Sequence, residues 1–147
     1  MLRVKKFLVF WLPPLLWMAL IFFLSSFHKL QAFPIGWQDF ITRKLAHFLE
    51  YAILYILFYR AFKNSTKLSF KKCLILAFFV TITYAISDEC HQTKVVGRTG
   101  RFFDVSIDSC GAFFGMIFSG KIVNLLPEKF QKIINLPGSS IHIDPGS

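Results

Sequence analysis

Acidic residues are scarce in this chain. Eight Asp and Glu stand against 17 Lys and Arg in 147 residues, leaving a formal net charge of +9. Cysteine is also rare. Cys73, Cys90 and Cys110 are widely spaced and form no CxxC pair, which excludes a zinc signature and a disulfide framework. Small buried thiols are the expected reading, and a Cys90–Cys110 bridge would require both residues to lie at an oxidising outer face. No internal repeat is present, so a solenoid is excluded. Charge of either sign is thin, at 17% of residues, whereas 54% are hydrophobic and 18% aromatic, including 19 Phe. A soluble single domain of this length does not need so much apolar surface. Hydrophobic blocks that cross lipid do need it, because ~20 mostly apolar residues span a bilayer core.

Four such blocks are expected: about Phe7 to Phe27, Lys44 to Phe62, Cys73 to Ser87, and Phe102 to Ile122. The first follows a basic start, Arg3, Lys5 and Lys6, but is too long for a signal-peptide core and lacks a small-residue cleavage site, so it reads as an uncleaved anchor. Its Pro13-Pro14 pair should kink or break the early turns. The third block spans only if its helix continues through Asp88–Gln92. The basic excess does not read as a nucleic-acid face, because the cations sit in short clusters between apolar blocks. With the N-terminus inside, the inner side holds Arg3, Lys5, Lys6, Arg60, Lys63, Lys67, Lys71, Lys72, Lys121, Lys129 and Lys132. The outer side holds Lys29, Arg43, Lys44, Lys94, Arg98 and Arg101, balanced by Asp39, Glu50, Asp88, Glu89, Asp104 and Asp108. The positive-inside rule therefore places both termini in the cytoplasm. Residues 1–126 form the membrane domain on this reading. Residues 127–147 form a tail, whose Leu125–Leu136 approach is amphipathic and suits the inner membrane surface, and whose Gly/Ser/Pro-rich end is expected to be disordered.

The polar residues collect in one stretch, SDECHQTKVVGRTGRFFDVSIDSCGAFFG, from Ser87 to Gly115. An Asp, Lys or Arg at the centre of a membrane helix costs about 2.5–3.5 kcal/mol on insertion scales, so such residues usually pair, line a wet cavity or do chemistry. Lys44, His47, Glu50 and Tyr51 share one helical face by their spacing. Asp88, His91 and Gln92 share another, and Asp104, Asp108, Gly111 and Gly115 a third. The topology puts all three helix ends at the outer face. Together they would gather Lys44, His47, Glu50, Asp88, His91, Arg98, Asp104 and Asp108. Gly97 suits a tight loop, and Gly111-x-x-x-Gly115 permits close helix approach.

At these residues the chain resembles the VanZ-like family of small bacterial membrane proteins. The resemblance rests on Lys44-Leu-Ala-His47-Phe-Leu-Glu50-Tyr51, on Ser87-Asp88-Glu89-Cys90-His91-Gln92, and on Gly97-Arg98-Thr99-Gly100 followed by Asp104 and Asp108. It covers about Trp17 to Gly120 and implies an all-α integral membrane protein, a four-helix bundle with a polar site at its extracytoplasmic end. It also implies a place in the bacterial plasma membrane and the cell envelope, and an association with teicoplanin resistance. Val96 departs from the proline common before the Gly-Arg pair, and Asp108 stands where Asn is also common.

The candidate catalytic residues are His47, Glu50, Asp88, His91, Asp104 and Asp108. The candidate ligand-binding residues are Lys44, Tyr51, Glu89, Gln92 and Arg98. Lys44 and Arg98 suit an anionic headgroup, with His47 or His91 as general acid/base oriented by Asp88 or Glu50. A lipid-anchored or cell-wall-related ligand fits, its head at the outer interface and its tail in the bilayer. A divalent metal held by His47, Glu50, Asp88, His91 and Asp104 is the lesser alternative, disfavoured by the two nearby cations, and no metal ligand is assigned. No pattern identifies a cofactor. Ser87, Ser106 and Ser109 are weak nucleophile candidates, since serines in membrane helices commonly bond neighbouring backbone. Trp11, Trp17 and Trp37 suit interfacial or packing roles, and Phe102, Phe103, Phe113 and Phe114 suit lipid or core. The competing class is a non-catalytic membrane protein whose charged network is structural or mediates partner binding.

Overall fold

The computed structural model describes residues 2–26, 36–95 and 102–119, apart from the side chains of residues 2–6 and of Phe102. Among the described residues four helices follow one another: α1 (Leu2–Ser26), α2 (Gly36–Ser65), α3 (Phe70–Gln92) and α4 (Phe102–Ile117). No strand occurs among the described residues. Three helical stretches are long and apolar enough to cross a membrane, namely Phe7–Ser26, Gly36–Ser65 and Phe70–Gln92. The chain is thus an all-α, multi-pass membrane protein. The described part of α4 is 16 residues long, or ~24 Å at 1.5 Å per residue. The tail from 120 onwards, including the expected amphipathic segment, lies outside the described residues.

Cross-helix contacts fix the arrangement. Trp11 of α1 packs edge-on against Phe58 and Phe62 of α2, while Trp17 donates to the Glu50 carbonyl, so these helices run antiparallel. Tyr84 of α3 donates to the Met18 carbonyl at 2.6 Å and Asp88 meets Ser25, so α3 runs parallel to α1. Lys44 and His47 of α2 meet Asp104 and Asp108 of α4, so those two are parallel. The bundle runs up and down. One end gathers the end of α1, the first half of α2, the end of α3 and the start of α4.

α2 is the central helix. Its buried Tyr51, Leu54, Tyr55, Phe58 and Tyr59 recur at helical spacing and face small residues on α3. Cys73, Ala77, Thr81 and Ala85 are buried there, four residues apart, so bulky rings of one helix fill the shallow face of the other. The contact with α4 is closer. A Cβ on Gly111 would collide with the Phe48 carbonyl of α2, and one on Gly115 would stand 2.7 Å from the Ala52 carbonyl oxygen. The two glycines let the α4 backbone lie directly on that of α2.

Three expectations change. α1 is not broken at Pro13 and Pro14 but runs through them as helix, although each proline removes a donor from the helical ladder. α2 begins at Gly36, eight residues before the apolar block does. Its opening turns are too polar to register as a hydrophobic block, yet Asp39 sits in the first turn and pairs with Arg43 at i,i+4, both favourable to a helix start. Of the thiols, only Cys73 is buried; Cys90 and Cys110 are exposed, and all three are free. α3 does continue through Asp88–Gln92, as its length requires.

Candidate functional site

The helix faces read from the sequence meet at the end of the bundle where α4 begins. Lys44 of α2 forms an ion pair with Asp104 of α4, its ammonium also 5.3 Å from the Phe40 ring centroid. One turn deeper, His47 Nδ1 lies 3.4 Å from Asp108 Oδ1. That separation is longer than a good hydrogen bond. Access singles out one group: the Lys44, Asp104 and His47 side chains keep 20%, 17% and 19% exposure, whereas Asp108 keeps 1%. Lys44, Asp104 and His47 therefore line the mouth, and Asp108 is its floor. A carboxylate as buried as Asp108 is tolerated only with a partner, and His47 is the side chain placed to serve.

Asp88 forms a second, adjoining centre. Ser25 Oγ donates to Asp88 Oδ1 at 2.7 Å, and Gln92 Nε2 donates to Oδ2 at 2.9 Å. Tyr51 OH points at the same Oδ2 from 3.4 Å. Three helices thus feed donors to one buried carboxylate. Tyr51 is itself fully buried, which places it between Asp88 and the His47 layer one turn away on α2.

The remaining candidates are distributed unevenly. His91 turns to α1, its ring 4.3 Å from Phe22 and its Nε2 3.1 Å from Ser26 Oγ. The Ser26 hydroxyl also reaches the Phe22 carbonyl at 2.7 Å. Glu89 is buried on α3, and Glu50 is half-buried, its backbone carbonyl taken by Trp17. Arg98, with Gly97 and the rest of 96–101, lies outside the described residues. Among the described residues no group of three or more His, Cys, Asp or Glu is arranged to hold a metal ion, so the five-residue metal alternative is not assembled. Ser109 bonds the Val105 carbonyl at 2.7 Å, as expected of a membrane-helix serine.

Sequence reasoning passed over Ser25 and Ser26. Their signal was a Ser-Ser pair closing an otherwise apolar block, on the helix parallel to α3. It also passed over Tyr84 and the bonding role of Trp17, which tie α1 to α3 and α2.

The chain matches the VanZ/LLP1 family over residues 10–124. It belongs to that family. The match runs from the first turns of α1 to beyond the described end of α4 and includes every residue of the two centres. No curated protein and no solved structure matches the chain.

Proposed function

We propose that this VanZ-like protein sits in the bacterial plasma membrane with four spans and both termini cytoplasmic, and that its polar end faces the outer leaflet. There it binds or processes a lipid-anchored or cell-wall-related ligand, and it affects glycopeptide (teicoplanin) susceptibility. Residues 1–126 form the membrane unit and 127–147 a separate tail. The observation that carries this reading is that Lys44, Asp104 and His47 keep partial access above the sealed carboxylate of Asp108. Lys44 is partly exposed at the mouth, so an anionic headgroup can take the place of Asp104 as its partner. His47 lies one turn below, against Asp108 rather than the Asp88 or Glu50 expected to orient it, and is the candidate general acid/base. Arg98, from the segment joining α3 to α4, is a second candidate for the headgroup.

A second reading has its own support. Lys44, His47 and Asp88 each already have an intramolecular partner, which suits a purely structural network. Alanine variants of Lys44, His91 and Arg98 separate the two. The functional reading expects loss of any teicoplanin phenotype in expressing cells while detergent-extracted protein stays folded. Failure of all three variants to accumulate favours the structural network, and full activity in accumulated variants removes the site. Orientation is checked on a background lacking Cys90 and Cys110. Ser69→Cys, in the connection between α2 and α3, should resist a membrane-impermeant maleimide on intact cells; labelling there reverses the topology.

A further inference from the structure

The opposite end of the bundle carries a different charge pattern. It gathers the start of α1, the end of α2 and the start of α3. No Asp or Glu occurs in α1, between Glu50 and Asp88, or from Ser109 to Ser119. Every described segment at this end is therefore without a carboxylate. Five cations nevertheless lie between Glu50 and Asp88: Arg60, Lys63, Lys67, Lys71 and Lys72.

They form two tiers. Lys67, Lys71 and Lys72 are exposed at the rim, whereas Arg60 and Lys63 are partly buried within α2 itself. Arg60 is five residues from the end of α2 and Lys63 two, which sets them ~8 Å and ~3 Å inside it. That is headgroup depth for a spanning helix. Each is steadied by an aromatic ring: the Arg60 guanidinium lies 5.8 Å from the Phe10 ring centroid, and the Lys63 ammonium 5.7 Å from that of Tyr59. Arg60 Nε is shielded from solvent and has no hydrogen-bond partner. Topology alone needs positive charge near the ends of spans. It does not need an Arg and a Lys drawn into the helix and held against rings.

We propose that this end binds an anionic glycerophospholipid, with the headgroup phosphate between Arg60 and Lys63 and the lysine rim drawing the lipid in. Basic recesses between membrane helices recognise such headgroups, each cation near the surface strengthening attraction by about fivefold. A planar guanidinium also offers a phosphate two parallel donors. The lipid here is a second ligand, at the far end of the bundle from Lys44 and Asp104, and the proposal holds whichever side of the membrane that end faces.

The test uses the full chain purified in neutral detergent, titrated with phosphatidylglycerol or phosphatidylcholine and read by native mass spectrometry and thermal midpoint. Phosphatidylglycerol should be retained and should raise the midpoint, phosphatidylcholine should not, and the difference should shrink at high salt. Arg60→Gln with Lys63→Gln should weaken retention by about 25-fold, and Lys94→Gln, at the other end, should leave it unchanged. Equal retention of the two lipids overturns the proposal, as does a loss in Lys94→Gln matching that of the double variant. Should the double variant fail to extract as folded protein, the two-lipid comparison on the native chain decides.

Discussion

At the end of the bundle where α4 begins, Lys44 faces Asp104, His47 faces Asp108, and Asp88 gathers Ser25, Tyr51 and Gln92. At the other end Arg60 and Lys63 lie against Phe10 and Tyr59, and the described helix segments there contain no acid. The first end answers its charges internally and across helices. The described segments of the second carry cations and no carboxylate. The contrast matters energetically because charges near lipid are tolerated only with partners. An internally neutralised end can therefore be buried, as Asp88 and Asp108 are, whereas a one-signed end must stay at the headgroup level.

The sharpest way to break this contrast is to separate α4 from the bundle, because α4 supplies Asp104 and Asp108 to the first end. Gly111→Leu drives a branched side chain into the Phe48 carbonyl of α2. Overpacking ordinarily costs about 1–3 kcal/mol, and a clash with backbone that cannot rotate away should exceed that range. Accumulation of folded protein should fall steeply, and engineered cysteine crosslinks between α2 and α4 should be lost. Crosslinks between α1 and α2 through the Trp11–Phe62 contact should persist, since that seam does not involve α4. Loss of both sets would mean that the two ends are not separable.

The pairing of α2 with α4 was partly legible in the sequence. Lys44, His47 and Tyr51 share a helical face by spacing alone, and across the bundle they meet Asp104, Asp108 and Asp88. Helical periodicity carries such information because side chains three or four apart must point the same way. What the pattern could not carry was pairing between helices that are distant in sequence. His47 was expected to be oriented by Asp88 or Glu50, but helix register sets it against Asp108. His91 was expected among the acids, but the rotation of α3 presents it to Phe22 and Ser26 of α1. The exposed Cys90 and Cys110 misled for another reason. A thiol is apolar enough to face lipid as readily as a core, so composition does not decide its side.

The next effect concerns the floor of the polar end. Asp108→Ala leaves His47 facing a void and should destabilise by about 3–5 kcal/mol if the pair is charged, because breaking a buried pair strands the other member. His47→Leu combined with Asp108→Leu removes both charges and restores volume. A structural network predicts that the double variant recovers most of the lost stability, read as the midpoint of thermal unfolding in detergent. The same variant should lose any envelope phenotype if His47 does acid/base work, so stability and activity move apart.

The smallest stability effect gives the finest separation. Lys44 and Asp104 are partly exposed, and pairs of this kind contribute about 0–1 kcal/mol. Exchanging them, Lys44→Asp with Asp104→Lys, preserves the pair and its position at the mouth but moves the cation from α2 to α4. A purely structural bridge tolerates the exchange, with an unfolding midpoint close to that of the native chain. A headgroup site does not, because the cation then approaches the ligand from the opposite wall and no longer stands one turn above His47. A folded, inactive exchange variant assigns Lys44 a ligand. A folded, fully active one returns the whole polar end to packing.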